Sequence, residues 1–302
     1  MNAIKVKKLT KRYGKNIAVD NISFNVEEGD FYGFIGPNGA GKTTAIKTML
    51  NLLRPTEGSV EILGNDISKK MFLGNVGYVP AEANLYEDLT VKNQINYFAK
   101  YYKNIDIDYI NTLKEMFGVD DGKKIADLSL GNNKKVSIIC ALMCNPKLLI
   151  FDEVSSGLDP NMQKVLFDEL KRLNSLGTTI FFSSHNLEEV QTYCQNVAII
   201  NKGKLVAKDN VQKLIARVGV RVSIKTDNVI KLSSAVNLQK HISDFCKLPD
   251  GTIKFNYLGD VNELVHYASH LKLEYFRIED TKLEDIFTKY YGHRADSHKA
   301  IL

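Results

Sequence analysis

The stretch FYGFIGPNGAGKTTAIKTML, residues 31–50, decides the fold of this chain. Its first five residues form an apolar run that suits a strand buried on both faces of a parallel sheet. The next nine residues fit the pattern G-x-x-x-x-G-K-[ST] and open a helical run that we expect to extend from Thr43 through Leu53. They are Gly36, Pro37, Asn38, Gly39, Ala40, Gly41, Lys42, Thr43 and Thr44. Strand, loop and helix in this order predict a phosphate-binding loop.

The loop chemistry predicts a nucleoside triphosphate with a divalent cation. Glycines let backbone N–H groups converge on phosphate oxygens, and the helix N-terminus adds a partial positive charge. We expect Lys42 to reach the β and γ phosphates and the hydroxyl of Thr43 to hold Mg²⁺.

Further apolar runs cover residues 148–151, 179–182 and 197–200. In a parallel sheet their C-terminal ends meet at the ligand-binding edge. Asp152 and Glu153 end the first run, so Asp152 is a candidate Mg²⁺ ligand and Glu153 a candidate base for an attacking water. His185 closes the second run and is expected either to contact the γ-phosphate or to orient Glu153.

The hydrophobic pattern also predicts the domain organisation. The first thirty residues alternate like half-buried antiparallel strands, and a helical insertion is expected at about residues 85–139. After Arg217 the chain returns to short alternating strands and amphipathic helices. The prediction is an α/β fold: residues 1–217 form a nucleotide-binding domain with a mainly parallel sheet, an antiparallel β subdomain and the insertion, and residues 218–302 form a small α+β domain.

Composition limits the class of protein. The chain has 302 residues, 44% of them hydrophobic and 25% charged, which is globular composition. No apolar run approaches the roughly 20 residues of a membrane-spanning helix, and no apolar segment follows the basic N-terminus, so we expect neither a spanning segment nor a secretion signal. The net charge of +5 is mild and no dense Lys/Arg block occurs, so no nucleic-acid partner is expected.

Taken in order along residues 4–209, these motifs resemble the ATP-binding subunits of ABC transporters. In that resemblance Tyr13 matches the adenine-stacking aromatic residue, Leu128 to Asn132 the signature LSGGQ, and His185 the switch histidine. Residues 36–44 match Walker A, 148–153 match Walker B and 156–159 match the D-loop. The C-terminal part, with the sequence LEDIF at residues 283–287, resembles the extension of subunits that pair with a separate exporter permease.

The resemblance implies an ATPase that works as a head-to-tail dimer with ATP and Mg²⁺ between the copies. Each ATP would touch Walker A of one copy and Ser129 and Gly131 of the other. Dimer closure and hydrolysis would power export of a hydrophobic or amphipathic antibiotic, peptide or lipid through a separate membrane permease. The permease would couple through residues 81–102, which implies a peripheral location at the cytoplasmic face of the membrane.

The sequence departs from the family pattern at three places. Ala81, followed by Glu82, stands where the family usually has a glutamine that senses metal and water. Leu130 and Asn132 alter the signature but leave Ser129 and Gly131, and Val154-Ser155 replaces Pro-Thr.

Two alternative functions and one question about residue roles stay open at this point. The first alternative is a soluble ABC ATPase that acts on nucleic acid or ribosomes, although such proteins usually carry two cassettes or a long coiled coil. The second alternative is a regulator that hydrolyses ATP poorly, which is motivated by Ala81. Lys134 and Lys135 either help to bind the γ-phosphate or are solvated surface charges.

Overall fold

The computed structural model describes residues 1–69, 73–102, 105–226 and 240–292. The chain divides into two compact units, Met1–Asp209 and Asn210–Leu302. The sequence pattern puts the boundary slightly later, after Arg217. The difference is the helix Val211–Ala216, which packs against the helix Leu283–Gly292 and so belongs with the second unit.

The first unit contains two sheets and a set of helices. Its strands are β1 (Asn2–Tyr13), β2 (Asn16–Glu27), β3 (Phe31–Ile35), β4 (Glu57–Ile62), β5 (Asn65–Asp66), β6 (Val76–Val79), β7 (Leu148–Asp152), β8 (Thr179–Ser184), β9 (Asn196–Asn201) and β10 (Lys204–Asn210). Its α-helices are α1 (Lys42–Met49), α2 (Val91–Ala99), α3 (Ile107–Phe117), α4 (Leu130–Leu142), α5 (Pro160–Ser175) and α6 (Leu187–Tyr193).

The topology confirms the predicted α/β fold with an antiparallel subdomain. A four-stranded sheet has the order β2-β1-β4-β5, and its strands pair antiparallel. A six-stranded sheet has the order β10-β9-β3-β8-β7-β6, in which the neighbours from β9 to β6 are parallel. Because β3, β7 and β8 are adjacent and parallel, the loops after them meet at one edge of the sheet.

An aromatic cluster packs the two sheets together. Phe24 of β2 stacks on Tyr32, Phe34 and Phe181 at ring-centroid distances of 6.0, 5.7 and 6.0 Å. All four side chains are buried. Burying a ring of this size contributes about 1.5–3 kcal/mol, so the cluster holds the strand that leads into the phosphate loop rigidly in place.

Local signals set the ends of the helices in the predicted insertion. The side chain of Thr90 accepts a hydrogen bond from Asn93 N at 3.3 Å and begins α2, and Asp106 accepts one from Tyr109 N at 3.0 Å and begins α3. Gly118 ends α3 with φ of 60°. Helix α1 ends at Met49, four residues before the predicted end at Leu53.

The second unit combines an antiparallel sheet with helices. Its strands are β11 (Val220–Thr226), β12 (Ile242–Lys247), β13 (Ile253–Tyr257) and β14 (Leu273–Asp280), in the antiparallel order β12-β13-β11-β14. Its helices are α7 (Val211–Ala216), α8 (Val261–Ala268) and α9 (Leu283–Gly292). Within the part of the chain that the structure describes, no helix is long and apolar enough to cross a bilayer.

Candidate functional site

A cleft of about 620 Å³ lies at the C-terminal edge of the parallel sheet. Six residues of the predicted phosphate loop line it, together with the predicted base Glu153. The lining residues are Asn16, Ile17, Ala18, Asn38, Gly39, Gly41, Lys42, Thr43, Thr44, Ala81, Glu153, Lys202 and Gly203. The structure therefore brings the loop and one of the two strand-end carboxylates to the same cavity.

Two glycines of the loop are required by close backbone approaches. A Cβ on Gly36 would lie 2.4 Å from the carbonyl oxygen of Ile200. Gly41 has φ of 105°, and a Cβ there would lie 2.4 Å from the carbonyl oxygen of Ala18. The loop therefore passes close to the backbone of β2 and β9, and α1 begins at Lys42, the residue that follows Gly41.

Lys42 is the buried cation of the cleft, with 4% of its surface exposed. Its ammonium donates to the carbonyl oxygens of Gly36 at 2.7 Å and Pro37 at 3.2 Å. It also pairs with Glu153 Oε1 at 3.0 Å. The loop carbonyls and the carboxylate hold the ammonium at the cleft wall, where it can face an anion.

Asp152 ends β7 and is fully buried. Its Oδ1 accepts a hydrogen bond from Ser183 Oγ at 2.7 Å, because the parallel register sets Asp152 opposite Ser183. Among the residues that the structure describes, Oδ2 of Asp152 has no hydrogen-bond partner. A buried carboxylate oxygen without a partner is costly, and it is the kind of ligand that a hard divalent cation takes.

Glu153 has a strained backbone at the same strand end. Its φ is 51°, in the left-handed region that non-glycine residues rarely adopt. Its N–H donates to the carbonyl oxygen of Ser183 at 3.1 Å, and its Oε2 lies 3.6 Å from Nδ1 of His185. His185 thus contacts the carboxylate it was predicted to orient.

Glu189 is a buried carboxylate that the sequence motifs did not identify. Its Oε2 accepts hydrogen bonds from Ser155 Oγ and Ser184 Oγ, both at 3.0 Å. Burial raises the pKa of Glu189 although these hydroxyl groups oppose the shift. Glu189 therefore links the segment after Glu153 to the segment that carries His185. The sequence signal for Glu189 was its place in α6, the helix that begins two residues after that histidine.

Tyr13 and the predicted signature residues do not line the cleft of their own chain. Tyr13 is 47% exposed at the end of β1, and the nearby Asn16 to Ala18 reach the cleft instead. Ser129 caps α4 by accepting a hydrogen bond from Asn132 N at 3.4 Å. A Cβ on Gly131 would lie 2.7 Å from the carbonyl oxygen of Gly157, so α4 begins in close contact with the predicted D-loop.

Lys134 is not a solvated surface charge, and that alternative is wrong for this residue. Its side chain is buried, with 2% exposed, and its ammonium donates to the carbonyl oxygens of Pro80 and Ala81. Lys135 is partly exposed. The sequence offered no signal for the difference, because which face of α4 is buried depends on tertiary packing.

Lys202 and Gly203 are lining residues that the motifs missed. They form the turn after β9, which is parallel to β3 and ends at the same edge. Gly203 N donates to the carbonyl oxygen of Ala40 at 2.9 Å, which fixes this turn against the phosphate loop. The rule that ligands bind beyond the C-terminal ends of parallel strands would have pointed to this turn.

Comparison with known proteins agrees with this geometry. Residues 19–156 match the family model described as ABC transporter. The chain is 33% identical to the bacitracin transport ATP-binding protein BcrA of Bacillus licheniformis, over 96% of this chain and 97% of that protein.

Solved structures share the fold. One described as the ATP-binding subunit of an ABC transporter has a TM-score of 0.67 and 28% identity, covering 71% of this chain and 92% of its own. A dimeric ATP-binding cassette bound to ADP and Pi has a TM-score of 0.63 at 24% identity, covering 68% of this chain and 98% of its own, which shows the fold alone.

Proposed function

Because this chain belongs to the family of ABC transporter ATP-binding proteins, we propose that its ATP hydrolysis powers export of an amphipathic antibiotic, peptide or lipid through a separate membrane permease. The observation that carries the site assignment is a series of contacts: Lys42 and Glu153, which both line the cleft, pair with each other, and His185 lies against the carboxylate of Glu153. It joins a phosphate-binding cation, a candidate base and the residue that orients it.

The proposed residue roles follow from these contacts. The N–H groups of the phosphate loop bind the phosphates, and Lys42 faces the β and γ phosphates. Glu153 accepts a proton from the attacking water, and His185 holds its carboxylate toward the cleft. Tyr13 is proposed to stack on the adenine; its exposed ring near the cleft-lining residues Asn16 to Ala18 supports this.

A magnesium ion fits the donor set at this edge. The unpartnered Oδ2 of Asp152 and the hydroxyl of Thr43 are the proposed ligands. Bound there, Mg²⁺ would neutralise negative charge on the phosphates.

A second copy of the chain is proposed to complete each site. Ser129 and Gly131 do not line the cleft of their own chain, which supports their contacting an ATP held by Lys42 of another copy. The first N–H groups of α4 have no partner within the helix, and the side chain of Leu130 is 66% exposed; both features suit a contact with the phosphate and surface of another copy. The proposed arrangement is a head-to-tail dimer.

The site assignment is tested with Glu153→Gln. This variant keeps the shape of the carboxylate but removes the base, so we expect normal ATP binding with turnover reduced about 100- to 10,000-fold. An ATP-stabilised dimer should appear on a sizing column. Turnover equal to that of the wild type would contradict the role of Glu153, and a persistent monomer would contradict the closed dimer.

Export is tested with a membrane permease that co-purifies with this chain. Cells that express the chain and this permease should tolerate a higher concentration of bacitracin, the antibiotic in the name of the relative BcrA. The pair with Glu153→Gln is the matched control. Equal susceptibility in both strains to bacitracin and to a panel of amphipathic peptides and lipids would refute the export proposal while leaving the ATPase assignment intact. The location of the complex at the cytoplasmic face of the membrane is tested by fractionating the same cells.

A further inference from the structure

Lys134 lies in the second turn of α4 and connects two parts of the first unit. Its ammonium donates to the carbonyl oxygens of Pro80, at 3.2 Å, and of Ala81. These two residues directly follow β6 and lead toward the helical insertion, whereas α4 is the helix that begins with Ser129 and Gly131. The side chain of Lys134 therefore connects the backbone that follows β6 to the first turns of α4.

A lysine in this position is expensive to bury, so its location needs a compensating interaction. Burial lowers the pKa of Lys134, while the carboxylates of Asp152, Glu153 and Glu82 oppose that shift. The ammonium therefore lies in the field of the two acidic residues at the end of β7. It combines hydrogen bonds to the main chain with electrostatic attraction to the catalytic carboxylates.

At residue 81 only the backbone can form hydrogen bonds. It lines the cleft beside Glu153, but its methyl side chain can donate or accept no hydrogen bond. Glu82 is exposed and does not line the cleft. Ala81 forms part of the cleft wall, and its position therefore depends on hydrogen bonds to its backbone. Lys134 donates such a hydrogen bond to the carbonyl oxygen of Ala81.

We propose that Lys134 is a positioning residue for ATP hydrolysis. It holds the Pro80–Ala81 backbone at the cleft wall and couples it to the start of α4. Lys134 does not line the cleft, so it acts on the placement of the wall and the carboxylates and not on ATP directly.

The expected signature is a loss of turnover with little change in ATP affinity. Misplacement of a catalytic constellation by about 1 Å can reduce the rate about 100-fold, so Lys134→Met should lower kcat about 10- to 100-fold. The KM for ATP should stay within about threefold, because the phosphate contacts of Lys42 and the loop are unchanged.

Three variants of the full chain test this inference. Lys134→Met removes the cation and keeps the stem. Lys134→Arg keeps a cation that can donate to both carbonyl oxygens, so it should recover at least a third of the wild-type kcat. Lys114→Met is the matched control, because Lys114 is a partly buried lysine of the same helical insertion that pairs with Asp121 at 2.8 Å, away from the cleft. It reports the cost of losing a lysine from the insertion.

A local measurement accompanies the kinetics. Hydrogen exchange of a peptide spanning residues 76–88 should become faster in Lys134→Met and stay unchanged in Lys114→Met, because only the first variant frees the Pro80–Ala81 backbone. A kcat for Lys134→Met within twofold of wild type, an equal loss in Lys114→Met, or an arginine variant no better than the methionine variant would overturn the inference.

The inference rests on ATP hydrolysis at the proposed site, and the two fail in different ways. If wild type and Glu153→Gln turned over ATP equally, the assignment of Glu153 would fail, and the exchange measurement would still test the contact made by Lys134. If Glu153→Gln alone were inactive and Lys134→Met fully active with unchanged exchange, only the inference about Lys134 would fail.

Discussion

Replacing Lys42 with methionine tests the phosphate site most directly. The side chain is 4% exposed and its ammonium makes three contacts, to the carbonyl oxygens of Gly36 and Pro37 and to Glu153. Methionine keeps most of the stem volume, so the packing of α1 against the loop should survive. The change therefore removes a charge and its three N–H donors and little else.

The magnitude follows from the contacts that ATP would gain. A hydrogen bond to a charged group contributes about 1.5–3 kcal/mol, and an ammonium facing the β and γ phosphates makes two. Part of this gain is offset because the ammonium must loosen its pairing with Glu153 at 3.0 Å. A net loss of about 2–4 kcal/mol corresponds to ATP binding that is weaker by about 30- to 700-fold.

Titration calorimetry with ATP and Mg²⁺ at fixed ionic strength measures this loss. Lys47→Met is the control, because it removes a lysine from the last turn of the same helix that does not line the cleft. We expect its ATP affinity to stay within about threefold of wild type. If Lys42→Met bound ATP as tightly as the control, Lys42 would not be the phosphate-binding cation and the proposed site would be wrong.

Three further substitutions probe the neighbouring contacts. Ser183→Ala removes the hydrogen bond to the buried Asp152 and should lower the free energy of unfolding in urea by about 1–3 kcal/mol. Ser175→Ala, at the exposed end of α5, is the control and should change this free energy by close to zero. Gly131→Ala places a Cβ 2.7 Å from the carbonyl oxygen of Gly157, so turnover should fall while ATP affinity of the monomer stays unchanged. Burial raises the pKa of Glu189 above the usual value of 4.5. The contribution of this carboxyl group to stability is therefore full below pH 4.5 and is lost as the pH rises through the pKa of the folded state. The melting temperature of Glu189→Gln should accordingly rise relative to that of wild type between pH 4.5 and 7. A constant difference across that range would contradict the raised pKa.

The sequence by itself predicted the framework of the first unit. The run at residues 31–35 was identified as a doubly buried strand because all five side chains are apolar or small, and the structure buries all five. The alternation around Ile4, Val6, Phe24 and Val26 predicted an antiparallel pair, which β1 and β2 form. These features depend on local periodicity and on burial of one or both faces, which a single sequence records.

The sequence missed β6, which has a short run interrupted by glycine. Residues 76–79 read Val-Gly-Tyr-Val, and a Cβ on Gly77 would lie 2.4 Å from the carbonyl oxygen of Ala141 in α4. The glycine that weakens the strand pattern is required by the close approach of that helix. Long-range packing, which the local pattern does not encode, therefore fixed the edge of the sheet.

Local sequence determined the phosphate loop, because its chemistry and its φ requirements lie within nine consecutive residues. Only the tertiary structure decided how the distant parts combine. It set Asp152 opposite Ser183, brought Lys202 and Gly203 to the cleft, and turned Lys134 inward to the backbone of Ala81 while Lys135 stayed partly exposed. Two adjacent lysines have the same local chemistry, and they differ because a helix sends consecutive side chains about 100° apart and only packing determines which direction is the interior.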